Sequence, residues 1–262
     1  MRPDLHTARK RFGQHFLHDP QVLDRIVRAI HPKPGENLVE IGPGLGALTR
    51  PLLERCGVLQ AVELDRDVIP HLIKACGEHP GLSVLQGDVL KVDFNTLVKP
   101  GGKLRLVGNL PYNISTPLLF HLLGFSELIE DMYFMLQKEV VQRICAAPDT
   151  EHYGRLTLTL FARAESVQLF TVGPGAFTPP PKVDSAVVRL RPRPAPFPLH
   201  HLDTYDQLVR QAFSYRRKTL SNALRGLCGP EHFTAAGIDP RMRAETLSGA
   251  DFGRLANCLS GR

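Results

Sequence analysis

The sequence predicts an α/β fold in which a mostly parallel sheet with an antiparallel late strand is followed by a small all-α C-terminal domain. Apolar segments of strand length alternate with segments of helical periodicity, and polar residues follow four successive predicted strands. A proline-rich stretch at 191–200 then precedes a purely helical pattern. We therefore expect a first domain at 1–190 with a basic N-terminal arm, a linker at 191–200 and a helical domain at 201–262.

The composition excludes several classes of protein. With 262 residues and 43% hydrophobic content, the chain can bury a sizeable core. It has no run of eighteen apolar residues, and its first eleven residues lack the apolar centre of a signal peptide. The five cysteines are scattered, without the spacing of a zinc site or a disulfide framework. We expect a cytoplasmic monomer with reduced cysteines, no metal and no membrane contact.

The elements follow in order along the chain. Asp19-Pro20 predicts the N-cap and first residue of a helix that ends near Pro32. The basic, aromatic arm before it is expected to fold over a ligand or touch nucleic acid, with a disordered tail as the alternative. Apolar runs predict parallel strands at 38–41, 59–62, 82–86, 104–107 and 131–137, and a late antiparallel pair at 167–172 and 185–190. Helical patterns start at 115, 139, 208, 219 and 251, and the apolar segment 154–164 indicates a buried helix, with a strand as the alternative.

Side chains suited to a nucleotide-shaped ligand follow the ends of the first strands. Glu40 and the loop Gly42-x-Gly44-x-Gly46 follow the first strand, and this spacing differs from that of the dinucleotide fingerprint. Glu63 ends the second strand, where an acid can accept two hydrogen bonds from ribose hydroxyls. Asp88 follows the third strand, where an adenine amino group would lie, and Asn109 ends the fourth. Because ligands bind at the carboxyl edge of such sheets, we expect one binding crevice there.

The segment Asn109-Leu110-Pro111-Tyr112 is the candidate catalytic site. The Asn109 side-chain oxygen and the Leu110 carbonyl are two acceptors, and Pro111 holds the preceding residue extended. With the Tyr112 ring beside them, they suit a planar exocyclic amine such as N6 of adenine. The alternative is an ordinary strand-to-loop turn with a packed tyrosine.

A second aromatic residue, Phe177, opens a proline-rich loop at 177–183. The stiff loop could hold Phe177 out as a stacking plate opposite Tyr112, or Phe177 could pack inward. The sequence leaves both interpretations open.

Charge is distributed unevenly along the chain. Residues 1–35 carry a net charge of +4, residues 36–184 carry −4, and residues 185–262 carry +6. Basic segments on both sides of an acidic middle favour a polyanionic partner. Arg216, Arg217 and Lys218 are candidate phosphate contacts, with a solvated helix end as the alternative.

Several motifs together resemble the rRNA adenine N6-dimethyltransferases, and the likeness covers nearly the whole chain. The motifs are Gly13-Gln14-His15-Phe16-Leu17, Val39-Glu40-Ile41-Gly42-Pro43-Gly44-Leu45-Gly46, Glu63-Leu64-Asp65, Asn109-Leu110-Pro111-Tyr112-Asn113-Ile114-Ser115 and Phe177-Thr178-Pro179-Pro180-Pro181-Lys182-Val183. The resemblance implies a Rossmann-like S-adenosylmethionine-dependent methyltransferase fold. It also implies dimethylation of two adjacent adenosines in the 3′-terminal hairpin of 16S rRNA, in a small-subunit particle.

The resemblance further implies a set of ligand contacts. His15 and Leu17 would close over S-adenosylmethionine, and Gly42 would approach its methionine part. Glu63 would hold the ribose, Asp88 the adenine, and Asn109 would border the sulfonium. His15 departs from the family pattern, since many relatives carry asparagine there.

Three other functions stay open. A branch of the family that confers macrolide resistance methylates 23S rRNA, although the 177–183 loop and the 216–218 triplet look more like the 16S branch. A non-catalytic ribosome-assembly factor would keep the fold without the chemistry. An N6-adenine DNA methyltransferase uses a similar motif, but has proline where this chain has Leu110.

Overall fold

A computed structural model describes residues 15–260, so the basic arm predicted before residue 15 lies outside the described part of the chain. The strands are β1 (Phe16–Leu17), β2 (Asn37–Ile41), β3 (Leu59–Glu63), β4 (Leu82–Gln86), β5 (Leu104–Asn109), β6 (Ile129–Gln137), β7 (Ala164–Val172), β8 (Phe177–Thr178) and β9 (Ser185–Pro192). The α-helices are α1 (Pro20–Ile30), α2 (Thr49–Cys56), α3 (Ile69–Ala75), α4 (Ser115–Leu123), α5 (Lys138–Ile144), α6 (Arg155–Phe161), α7 (Leu202–Ser214), α8 (Leu220–Ala223), α9 (Pro230–Ala236) and α10 (Gly249–Ser260).

A seven-stranded sheet in the order β4-β3-β2-β5-β6-β9-β7 confirms the predicted fold class. Strands β2 to β6 pair in parallel, whereas β9 runs antiparallel to β6. All five parallel strands therefore end at the same edge of the sheet, where ligands bind in folds of this type. A separate two-stranded sheet joins β1 to β8, which brings the segment before α1 beside the loop that follows β7.

Helix α1 begins and ends where the sequence predicts. The Asp19 carboxylate accepts hydrogen bonds from the backbone N–H groups of Gln21 (2.8 Å) and Val22 (3.1 Å). The helix ends at Ile30, and His31 adopts the left-handed conformation (φ 49°) just before Pro32. This helix packs its buried face into the core of the sheet domain.

A buried ion network crosses the opposite, amino-terminal part of the sheet. Arg105 in β5 lies opposite Asp131 in β6 and donates to both of its carboxylate oxygens, at 2.9 and 3.0 Å. Its Nη1 atom donates to Glu36 Oε2, and Nη2, which also donates to Asp131, donates to the Ile30 carbonyl, each at 2.7 Å. The positive charge of the buried Arg105 is therefore paired with two carboxylates.

The chain divides into two compact units. The first comprises residues up to Val141 together with Val167–Pro192, and the second comprises Gln142–Ser166 together with the chain from Arg193 onward. This differs from the predicted boundaries, because α6 is the buried helix expected at 154–164 but belongs to the second unit. Its apolar residues join a core with those of α7, and Tyr153, just before it, donates a hydrogen bond to the Leu247 carbonyl (2.7 Å).

The predicted linker at 191–200 is also more structured than expected. Strand β9 continues through Pro192, two residues beyond the end of its pairing with β6 at Leu190. Further along, the Phe197 ring lies against Phe161 and Tyr205, with centroids 6.0 and 5.8 Å apart.

The second unit is helical, as predicted, although α9 was not anticipated from the sequence. Its core is built around Tyr205, Leu208, Phe252 and Leu255, all of them fully buried. Among the described residues, none of the helices has the length and hydrophobicity needed to cross a membrane.

Candidate active site

A cavity of about 780 Å³ lies at the carboxyl edge of the sheet, within the first unit. Such a volume is in the range of small-molecule and cofactor sites. All of the predicted strand-end groups line it, namely Glu40, Gly42, Glu63, Asp88 and Asn109. The predicted crevice therefore exists, and the pairing register of the parallel strands brings its walls together.

The glycine loop after β2 has a conformation that other residues rarely adopt. Gly42 and Gly44 have φ values of +67° and +55°. A Cβ atom on Gly44 would lie 3.2 Å from the Phe16 ring, and one on Gly42 would lie 3.9 Å from the Asn109 carbonyl oxygen. The loop can thus run close to both β1 and the candidate catalytic segment.

Glu63 is held by the backbone around it. Its carboxylate accepts hydrogen bonds from the N–H groups of Asp65 (2.8 Å) and Gly44 (3.2 Å). Burial raises the pKa of Glu63, these backbone hydrogen bonds oppose that shift, and the nearby Asp65 carboxylate adds to it. Because each carboxylate oxygen has two lone pairs, Glu63 keeps acceptor capacity toward the cavity.

Asp88 uses one carboxylate oxygen in a backbone contact and lines the cavity with its side chain. This oxygen, Oδ1, accepts a hydrogen bond from the Leu90 N–H (3.0 Å) and so caps a short 3₁₀ turn. The carboxylate therefore has a fixed orientation at the cavity wall, with a second oxygen left to accept a ligand amine.

Glu40 is the strand-end candidate to which the sequence assigned no specific ligand contact. It is buried in the cavity wall, and none of the described residues donates a hydrogen bond to its Oε2 atom. The pKa of Glu40 is raised to about 8. Burial is the largest cause, the nearby Thr49 hydroxyl opposes the shift, and the Glu63 carboxylate adds to it.

Asn109 has a defined amide orientation. Its Nδ2 atom donates a hydrogen bond to the His15 carbonyl oxygen (2.9 Å), which leaves Oδ1 as the acceptor. The neighbouring Leu110 N–H donates to the Met135 carbonyl (3.1 Å), and no described residue donates to the Leu110 carbonyl oxygen. Both predicted acceptors are therefore available at the cavity.

Tyr112 is fixed by contacts on two sides. Its hydroxyl group shares a hydrogen bond with Ser185 Oγ (2.9 Å), at the buried start of β9. The His15 ring lies 5.5 Å from the Tyr112 ring, centroid to centroid, with 30° between the planes. His15 Nδ1 lies 2.8 Å from the Pro179 carbonyl, and since a carbonyl can only accept, this nitrogen carries the proton.

Phe177 does not occupy its predicted position. It is 2% exposed and packs in the core of the first unit beside Leu17, its partner in the β1–β8 pair. The prediction that Phe177 faces Tyr112 is therefore wrong, and the alternative of an inward-packed ring is what the structure shows. Short strand pairing forces this orientation, and the ring beside Tyr112 is that of His15.

The whole chain resembles known proteins. A family model described as ribosomal RNA adenine dimethylase matches residues 5–260. This chain belongs to the ribosomal RNA adenine dimethylase family. It is 54% identical to the ribosomal RNA small subunit methyltransferase A of Pseudomonas aeruginosa, over 97% of this chain and 96% of that protein. It is 52% identical to the protein of the same name from Vibrio cholerae, over 99% and 97% of the two chains.

Solved structures agree with this family assignment. A dimethyladenosine transferase from Plasmodium falciparum superimposes with a TM-score of 0.76 at 28% identity, covering 92% of this chain and 96% of the other. The 23S rRNA methyltransferase ErmE gives a TM-score of 0.72 at 27% identity, covering 93% and 99%. As a member of the dimethylase family, the protein is an rRNA adenine methyltransferase that uses S-adenosylmethionine.

The three residues of the predicted basic triplet, Arg216, Arg217 and Lys218, differ in their contacts. Arg216 Nε pairs with Glu245 Oε2 (2.7 Å), and its Nη2 donates to the Glu151 carbonyl (3.1 Å). Lys218 Nζ instead lies over the Tyr215 ring, 5.1 Å from its centroid. Arg216 is thus occupied inside the second unit, whereas Arg217 and Lys218 border an open groove.

Proposed function

We propose that the protein transfers methyl groups from S-adenosylmethionine to the N6 amines of two adjacent adenosines in the 3′-terminal hairpin of 16S rRNA. The observation that carries this proposal is the pair of unoccupied acceptors, Asn109 Oδ1 and the Leu110 carbonyl, beside the Tyr112 ring. The small-subunit branch is favoured because the two small-subunit methyltransferases named above are 52–54% identical to this chain, compared with 27% for ErmE.

The cavity residues fit the cofactor. Glu63 would accept hydrogen bonds from the ribose, Asp88 would accept one from the adenine amine, and Gly42 would allow close approach of the methionine part. The buried Glu40 oxygen, which has no donor among the described residues, would take a positively charged amino group. When bound, S-adenosylmethionine supplies a methyl group carried on a cationic sulfur.

The catalytic segment acts on the substrate amine. The nitrogen of an adenine amine is a poor nucleophile because its lone pair is delocalised into the ring. Asn109 Oδ1 and the Leu110 carbonyl accept its two N–H groups, which favours a pyramidal nitrogen and stabilises the positive charge that develops on it. Tyr112 stacks on the extruded base and holds it in register, which lowers the entropic cost of the reaction. Water can then take the proton from the acidic product.

Dimethylation places a second demand on the site. After the first transfer the amine keeps a single N–H, so one of the two acceptors loses its partner. The exposed path beside Tyr112 must accommodate the methyl group in place of that hydrogen bond.

We further propose that the protein works in the cytoplasm as a monomer on a pre-30S or 30S particle, without a metal ion. Arg217 and Lys218 are proposed RNA contacts of the second unit, and they are better candidates than Arg216, whose charge is already paired. The positive net charge of +6 supports a polyanionic partner.

Primer extension on small ribosomal subunits tests this function, because dimethylated adenosines stop the polymerase. We expect a stop at the paired adenosines after incubation with the wild-type protein and S-adenosylmethionine, and none with Asn109→Ala. The Asn109→Ala protein should still bind the particle, because the change removes one acceptor for the amine and no cationic group that contacts phosphate. No stop in 16S rRNA with the wild-type protein, or an equal stop with Asn109→Ala, would contradict the proposal.

A further inference from the structure

Four contacts in antiparallel register hold the β1 segment, residues 15–18, against residues 176–179. Three of them involve the backbone, and the last, at the end of the segment, uses a side chain. In that last contact His15 Nδ1 donates to the Pro179 carbonyl (2.8 Å). The contacts in order are His18–Ala176, Leu17–Phe177, Phe16–Thr178 and His15–Pro179.

The two ends of this pairing are held differently. Leu17 and Phe177 are 5% and 2% exposed, so burial fixes one end, whereas His15 is only partly buried. Pro179 has no N–H and can offer only its carbonyl, so the contact at this end needs a donor from His15. Because a two-residue strand pair is marginal by itself, the Nδ1 hydrogen bond closes the more exposed end.

The backbone of the same residue controls the Asn109 amide. The His15 carbonyl accepts a hydrogen bond from Asn109 Nδ2 (2.9 Å), which turns Oδ1 toward the cavity. An asparagine amide can rotate about its last bond, and a half turn exchanges the acceptor for a donor. After such a turn Asn109 would present N–H groups to an amine that itself needs acceptors. The productive orientation therefore lasts only while the His15 carbonyl stays in place.

We propose that His15 is a positioning residue, whose side-chain hydrogen bond to the Pro179 carbonyl latches the β1 segment and so keeps Asn109 Oδ1 turned toward the substrate amine. This role rests on the proposed function, in which Asn109 accepts from that amine. The contact of the His15 ring with Tyr112, 5.5 Å between centroids, is the competing reason for a histidine at this position.

Three variants at position 15 separate the donor from the ring. His15→Asn keeps a side-chain N–H donor without a ring, His15→Phe keeps a ring without a donor, and His15→Ala has neither. Single-turnover methylation of small ribosomal subunits at saturating S-adenosylmethionine measures the chemical step. We expect His15→Phe and His15→Ala to slow this step about fivefold, the usual weight of one neutral hydrogen bond, and His15→Asn to stay within about twofold of the wild type.

His121→Phe is the matched control. His121 lies on α4 in the same unit, outside the cavity lining, and its Nε2 atom donates to the Val92 carbonyl (3.2 Å). The change therefore removes the same kind of hydrogen bond away from the site, and the control should methylate at the wild-type rate. A loss equal to that of His15→Phe would overturn the inference, because general loosening of the unit would explain both. Thermal unfolding shows whether each variant is folded.

The variants at position 15 can also contradict the latch. A His15→Asn protein as slow as His15→Ala would overturn it, because a donor would then not restore the rate; if His15→Phe is fast, the ring beside Tyr112 carries the effect. Wild-type single-turnover rates in His15→Phe and His15→Ala, with any loss confined to cofactor affinity in calorimetry, would leave His15 as a ligand contact only. Methylation by the wild type and its absence in Asn109→Ala are separate results, so the latch can fail while the proposed function stands.

Proton exchange at the Asn109 side chain gives a readout that does not depend on catalysis. In protein labelled isotopically at asparagine, the Asn109 Nδ2 signals in NMR spectra are those that disappear in Asn109→Ala. Their exchange with water should be about fivefold faster in His15→Phe than in the wild type, because the His15 carbonyl is no longer held against Nδ2. Equal exchange rates in the two proteins would overturn the inference.

Discussion

Glu40 gives the most direct test of how the cavity is built. Its pKa of about 8, raised from 4.5 by burial, means that the folded protein keeps a proton that the unfolded chain has lost at neutral pH. Stability from this group is complete below about pH 4.5 and is lost as the pH rises through about 8. We therefore expect Glu40→Gln, which cannot ionise, to become more stable relative to the wild type as the pH rises.

The magnitude follows from the two pKa values. Each unit of difference corresponds to 1.36 kcal/mol, so the full effect is on the order of 5 kcal/mol, and about 3 kcal/mol of it falls between about pH 5.5 and about pH 8.5. Urea unfolding of both proteins across that range measures the difference in the free energy of unfolding. Titrating groups that do not interact with Glu40 are present in both proteins and cancel in the comparison.

A difference that stays constant across this range would refute the reasoning, since Glu40 would then ionise in the folded protein as it does in the unfolded chain. Calorimetry adds a second readout. If the ionised Glu40 takes the cofactor's amino group, the wild type should release close to one proton on binding at neutral pH, and Glu40→Gln should release none from this position.

The other predictions concern the cofactor, the base and the core. Glu63→Ala should weaken S-adenosylmethionine binding by about 10- to 100-fold in calorimetry, because two ribose hydroxyls lose a charged acceptor, and an unchanged affinity would remove the ribose assignment. Ser185→Ala and Tyr112→Phe remove the same hydrogen bond. Each single variant and the double variant should therefore slow methylation by a similar factor of about five. Additive losses in the double variant would show that the two groups act separately. Arg105→Ala should lower the free energy of unfolding in urea by about 3–5 kcal/mol, because it leaves Asp131 buried without its partner. The double variant Arg105→Ala/Asp131→Ala should lose less free energy of unfolding than the two single variants added together, and an additive loss would contradict the pairing.

The sequence was sufficient for most of the sheet and for part of the site. Strands β2 to β6 are mostly apolar segments of strand length, and their common direction follows from the helices between them. Glu63, Asp88 and Asn109 could therefore be placed at one edge. The buried helix α6 was also predicted, but its membership of the second unit depends on contacts with α7, far away in the chain. Such long-range packing leaves no local pattern.

The remaining features of the site depend on one long-range pairing. Strand β1 joins β8, which buries Phe177 and brings His15 to Tyr112 and Pro179. A two-residue strand has too little periodicity to be predicted, and the prolines after Phe177 were compatible with either orientation of its ring. The desolvation of Glu40 was likewise hidden, because the pKa of a carboxyl group depends on everything packed around it.

The same pairing explains why an amide, and not a carboxylate, suits position 109. Strand β1 is held to β8, and the next residue, His18, donates to the Ala176 carbonyl (2.9 Å), so the His15 carbonyl has a fixed place at the cavity. Asn109 donates to that carbonyl with one end of its side chain, and in the proposed mechanism it accepts from the substrate amine with the other. An aspartate offers only acceptors, so it would repel the His15 carbonyl while keeping its affinity for the amine. The hydrogen bond to the docked β1 segment therefore sets the orientation of the proposed catalytic acceptor.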